Sequence, residues 1–268
     1  TININYASDG VNYSTSLDVY VSEEPSLYEY TLECENESKA LEFAITPIYS
    51  KIKQANYYLQ GAATDGQYAY YALNTSGNVT GVIAKYDLEN RKVIATSPEV
   101  DLSDATTFTD NANIFIYNKK VYLIKSDFTQ HVFDSRTLEL LKEEEGIKFA
   151  NGPTNVRSVA YDPLARRFAV SDGQNLAIYD ETNLNNPTTT TAITCSASGY
   201  SFQTLYSTQD CVYALFGKNA TGDLYLEMYT WGGLSLGEKL IHDTTLAPSS
   251  TSNIQNILEI GKKIYVGV

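Results

Sequence analysis

The sequence predicts an all-β chain assembled from repeated four-stranded units, and three recurring signals carry that prediction. The first is an apolar residue, then usually a tyrosine, then an aliphatic one: Val19-Tyr20-Val21, Tyr70-Tyr71-Ala72, Val121-Tyr122-Leu123, Phe168-Ala169-Val170, Val212-Tyr213-Ala214 and Ile264-Tyr265-Val266, with centres 44 to 52 residues apart. The second follows each of the first five centres by 10 to 16 residues, an aromatic that closes a strand, often before aspartate: Tyr30-Thr31, Tyr86-Asp87, Phe133-Asp134, Tyr179-Asp180 and Tyr229-Thr230. The third precedes the centre by 9 to 12 residues, a polar side chain near the start of an otherwise apolar strand: Gln60, Asn113, Arg157, Gln203 and Gln255. A period of this length with tight turns such as Thr64-Asp65-Gly66 describes the blade of a β-propeller.

Composition agrees. There are 22 tyrosines against one methionine and one tryptophan, and tyrosine suits a half-buried strand position with its hydroxyl near water. A chain of 268 residues that is 43% hydrophobic can bury a large core. The rival all-β architectures fit less well, since sandwiches lack a three-part repeat and β-helix coils are shorter.

In chain order, residues 1–22 read as a strand-forming extension and 23–268 as the propeller. Within the extension, Ile2, Ile4 and Tyr6 alternate along one strand, and Leu17, Val19 and Val21 along a second. Blades follow at 57–96, 111–142, 154–194 and 201–242. The final strand, Ile264–Val268, leaves a row of backbone donors and acceptors that needs a partner. The segments 27–33 and 40–45 supply two outer strands, so joining them to 253–268 gives a fifth blade built from both ends. The expectation is therefore five four-stranded blades, with six or more as the alternative. The numbering reads as starting at a processed end or a chosen fragment.

In repeat architecture over residues 27–268 the chain resembles the divergent bacterial β-propellers of the YVTN and NHL-like kind. The WD dipeptide is absent and no Asp-box or kelch glycine pattern is evident, so the resemblance implies a fold and little about chemistry.

The formal charge of −13 argues against nucleic acid and anionic membrane surfaces as partners. Apolar runs such as Ala69–Leu73 are too short to cross a bilayer. Five-bladed glycosidases need paired carboxylates at the funnel, where this chain carries amides and one arginine. Asp65, Asp110, Asp162 and Asp210 fall in turn-like settings, the usual place for a side chain that bonds nearby amides. His131 and His242 lie in outer-strand contexts, too few and too far out for a zinc site or a catalytic triad. Cys34, Cys195 and Cys211 have no metal spacing; Cys195 and Cys211 either pair or remain free thiols. No cofactor is expected.

If they share a register, Gln60, Asn113, Arg157, Gln203 and Gln255 form a ring of amides and one cation at the axis, suited to sugar hydroxyls or simply to trapped water. Sequons at Asn12, Asn36, Asn74, Asn78 and Asn219 make glycosylation possible, at about the number chance gives. The leading functional reading is a non-enzymatic extracellular or surface protein acting in assembly or adhesion, self-associating through its N-terminal strand, with copies of itself or neighbouring surface proteins as partners. A carbohydrate-binding funnel is the alternative, with glycans as partners, and a glycosidase or lyase is less favoured.

Overall fold

A computed structural model describes residues 2–8, 11–17, 57–75, 80–90, 92–102, 113–142, 145–217, 223–242, 256–260 and 263–267. All regular structure among them is β, and they fall in two units, 1–35 and 36–268.

In the first unit β1 (Ile2–Ser8) pairs antiparallel with β2 (Val11–Leu17). The pairing sets Ile2 opposite Leu17, Ile4 opposite Thr15 and Tyr6 opposite Tyr13. The second strand thus ends at Leu17, where the sequence pattern had it begin. Val19 and Val21 lie outside the described residues.

The second unit is a β-propeller of four blades. Blade 1 contains β3 (Tyr57–Thr64), β4 (Ala69–Thr75), β5 (Thr80–Asp87) and β6 (Lys92–Thr96), with the short β7 (Val100–Asp101) also on β5. Blade 2 contains β8 (Asn113–Tyr117), β9 (Lys120–Ile124) and β10 (Gln130–Asp134), and a bridge from Phe133 to Leu140 begins a fourth strand. Blade 3 runs through β11 (Ser158–Asp162), β12 (Arg167–Ser171), β13 (Asn175–Asp180) and β14 (Thr189–Ala192). Blade 4 runs through β15 (Ser201–Ser207), β16 (Cys211–Gly217), β17 (Asp223–Thr230) and β18 (Ser235–His242). Every blade is an antiparallel meander, because each turn is too short for anything but a hairpin return.

The expected count of five four-stranded blades is corrected by this arrangement. The remaining sheet is a two-stranded hairpin, β19 (Asn256–Ile260) with β20 (Lys263–Gly267). Its inner strand lies against β15 on one side and β3 on the other, so the ring of inner strands closes. Residues 27–45, the outer strands expected to complete it, lie outside the described residues.

The core lies between blades. Tyr70, Ile83, Ile114 and Phe133 pack where blade 1 meets blade 2. Phe115, Tyr122, Phe168 and Tyr179 fill the next junction, and Ala169, Ile178, Val212 and Tyr229 the one after. Tyr71, Ala84 and Tyr86 pack with Leu258 of the terminal hairpin. The strand-closing aromatics Tyr86, Phe133, Tyr179 and Tyr229 are all essentially fully buried. Each of these side chains buries enough apolar area to contribute a few kcal/mol, which is why the aromatic recurs in every blade. Lys85 adds a polar tie, its Nζ donating to the Ser135 carbonyl at 2.9 Å while lying 4.4 Å from the Tyr68 ring centroid.

Candidate functional site

The inner strands bring one polar row together, one residue away from much of the row read in the sequence. Strand pairing makes Gly61, Asn113, Ser158, Thr204 and Asn256 register equivalents: each lies two residues before the inner-strand partner of Tyr70, Tyr122, Ala169, Tyr213 or Tyr265. The equivalent in blade 1 is Tyr70, opposite which the closing aromatic is offset by one, and not Tyr71, the centre of the sequence pattern. Gln60, Arg157, Gln203 and Gln255 each precede that row by one. Of the five expected residues only Asn113 stands in it.

In the row, Asn113 Nδ2 donates to Ser158 Oγ at 3.1 Å, and Ser158 Oγ lies 3.1 Å from Thr204 Oγ1. Two of these side chains also reach the next blade's backbone. Asn113 Oδ1 accepts from Val159 N at 3.0 Å, and Ser158 Oγ accepts from Leu205 N at 2.8 Å. Asn113, Ser158 and Thr204 are all buried. An innermost strand has no neighbour on its axial side, so its inward amides need partners. The row supplies them and latches one blade to the next.

The other expected positions go elsewhere. Gln203 is the extra residue of a β-bulge and folds back, donating to Ser201 Oγ at 2.9 Å and to the Ser201 carbonyl at 3.1 Å. Gln60 is the extra residue of a second bulge, and its Oε1 is buried without a hydrogen-bond partner. The Arg157 side chain crosses Gly173, where a Cβ would lie 2.8 Å from Arg157 Cδ. Gln255 lies outside the described residues. Amides directed at the protein's own backbone are not available to a ligand, and this holds for Asn113 and Gln203.

The aspartates hold turns where they are described. Asp65 Oδ1 accepts from Gln67 N and Tyr68 N, and Asp162 Oδ1 from Leu164 N and Ala165 N. Asp210 is exposed in the turn before β16, and Asp110 lies outside the described residues. His131 is half-buried, bonded to the Asp101 carbonyl at 3.1 Å, and desolvation holds its pKa below the usual imidazole value. His242 ends β18. Cys195 and Cys211 are free thiols whose pKa values burial raises, an environment that leaves them unreactive. Cys34 lies outside the described residues.

A pair of carboxylates escaped the sequence reading. Glu227 and Glu238 stand directly opposite one another on β17 and β18. Glu227 Oε2 accepts from Thr194 N at 3.2 Å and Glu238 Oε1 from Ser196 N at 2.7 Å, so together they clamp the chain crossing from blade 3 to blade 4. Alternate positions on a strand do not announce a cross-strand pair, which only register reveals.

Among the sequons, Asn74 is fully buried on β4, where a glycan has no room. Asn12 lies in β2, and Asn36, Asn78 and Asn219 are outside the described residues. Among the described residues no three metal-ligating side chains form a group.

No family model matches the chain, and no curated protein matches it. Among solved structures it is similar to glutaminyl cyclase of Myxococcus xanthus, at 12% identity over 71% of this chain and 73% of that one, with a TM-score of 0.43. It is also similar to the RRP9 WD40 repeats, at 8% identity over 76% and 55% with a TM-score of 0.39. For hydrazine synthase of Kuenenia stuttgartiensis the values are 13%, 78% and 61%, and 0.38. At such scores the likenesses carry no argument about chemistry, and the propeller stands on its own strand pairing.

Proposed function

We propose that the chain is a non-enzymatic, extracellular or surface-exposed propeller, of the YVTN and NHL-like kind, that acts in assembly or adhesion through its N-terminal hairpin. The observation that carries this is the sheet of β1 and β2, which among the described residues pair only with each other. A two-stranded sheet has two open edges, and an isolated hairpin is marginal in water. An added strand from a neighbour supplies main-chain bonds and a register for alternate side chains. Head-to-tail addition of this kind does not close on itself and gives a filament.

The test is deletion of residues 1–22. An assembly role predicts a folded, soluble monomer that no longer associates in sedimentation or under the electron microscope. A lower melting temperature with unchanged association overturns the reading. The carbohydrate funnel takes second place because Asn113 and Gln203 bond the protein's own backbone, while Gln60 and Arg157 remain to favour it.

A further inference from the structure

Lys125, where blade 2 faces blade 1, is a buried cation. It follows β9 and is 3% exposed. Its backbone is held in the turn after that strand, N donating to the Thr129 carbonyl at 2.8 Å and the Lys125 carbonyl accepting from Phe128 N at 2.9 Å. Among the described residues its Nζ has neither a hydrogen bond nor an ion pair. Lys85, 6% exposed, shows what burial asks of an ammonium: it has the Ser135 carbonyl and the Tyr68 ring. A charge taken out of water is costly unless a partner replaces the water.

Alternation puts Lys125 on the same face as Leu123, which packs in one cluster with Tyr70, Val100 and Leu102 of blade 1. His131 stands opposite Leu123 across the hairpin, and its ring is tied to blade 1 by the Asp101 carbonyl at 3.1 Å. Desolvation holds the His131 pKa low, and the Lys125 charge adds to this against the carbonyl and carboxylate of Asp101. Asp101 itself is exposed. The face thus brings an unmet ammonium and an imidazole together.

We propose that this junction binds a small carboxylate, its single negative charge set against Lys125 Nζ with His131 beside it. One buried cation is balanced by one negative charge. A sulfate or phosphate would bring a second, with the like charge of Asp101 nearby, and an apolar or cationic molecule would leave the ammonium unmet. Carboxylate oxygens accept strong, charge-assisted bonds from an ammonium. The enclosure of Lys125 restricts the ligand to a small body such as formate or acetate. This site is independent of the assembly role of the N-terminal hairpin.

Sodium formate titrated into the protein should raise its melting temperature by about 2–4 °C along a saturating curve. Lys125→Met, which keeps most of the side-chain bulk and removes the charge, should show no such response. An equal response in the two proteins, or none in the wild type, overturns the proposal. Should the variant not fold, the His131 ring decides, its titration followed by proton NMR in the wild type. Formate bound against Lys125 should move the His131 midpoint upward, since a negative charge favours the imidazolium, whereas sulfate at equal ionic strength should not. A midpoint unmoved by formate, or moved equally by both salts, overturns it.

Discussion

Tyr179 donates its hydroxyl to the Ala150 carbonyl at 3.1 Å, and the segment it crosses contains Gly152. A Cβ at Gly152 would stand 1.8 Å from that hydroxyl oxygen. Gly152→Ala therefore forces the ring out of its junction, and overpacking of this kind costs about 1–3 kcal/mol. Thermal or urea unfolding should show the loss, and Tyr179→Phe in the same background should recover part of it. A second single-residue effect concerns acid. Asp87, Asp134 and Asp180 follow three of the strand-closing aromatics, and hydrogen bonds from Asn90, Thr137 and Thr182 hold their pKa values below the usual carboxylate range. Their folded-state pKa values lie below the unfolded ones, so their stabilisation is complete above the unfolded pKa of about 4. It is lost as pH falls through the folded values. Melting temperature should decline below about pH 4, and less steeply in a triple Asp→Asn variant.

At the scale of the strand, the latch is the element most open to test. Ser158→Ala removes the acceptor of Leu205 N and a partner of both Asn113 and Thr204. Leaving buried groups unpaired should cost about 1–3 kcal/mol, whereas Ser158→Thr retains the hydroxyl and should lose less, as denaturant midpoints would show. The same element explains what the sequence made legible. The aromatic-closed third strands could be read because burial demands the aromatic in each of the four blades. The second-strand tyrosine is less constant, giving way to Ala169 in blade 3 and half-buried as Tyr213 in blade 4. The polar row could not be placed, because the bulges at Gln60 and Gln203 each insert a residue, and a slip of one turns a side chain to the other face. Gln203 and Arg157 caught attention because they are large and polar. Ser158 and Thr204 did not, since small hydroxyl residues are ordinary in strands. Counting back through the hairpin from Ala169 and Tyr213, rather than along the chain, would have found them.

At the scale of the molecule, closure depends on a hairpin that among the described residues has two strands. Removing residues 256–268 withdraws Leu258 from Tyr71, Ala84 and Tyr86, and opens the inner strands on both sides. The shortened chain should unfold over a broader range than the full chain and elute as aggregates in gel filtration, because bare sheet edges and apolar faces associate. The five-blade expectation gives way to four blades, and the outer strands it assumed at 27–45 lie outside the described residues.

Because each of the four core clusters among the described residues is shared between neighbours, the blades depend on one another for their interiors. An emerging chain would find half-finished contacts at each stage, one face of every new sheet waiting for the next. Blade 1 waits longest, since the face bearing Tyr71 and Tyr86 is covered by Leu258, which is synthesised after all four blades. A premature stop anywhere before that leucine would leave a sticky intermediate rather than a smaller working protein. Damage to the codons of the hairpin around Leu258 should therefore be as harmful as damage to the first blade.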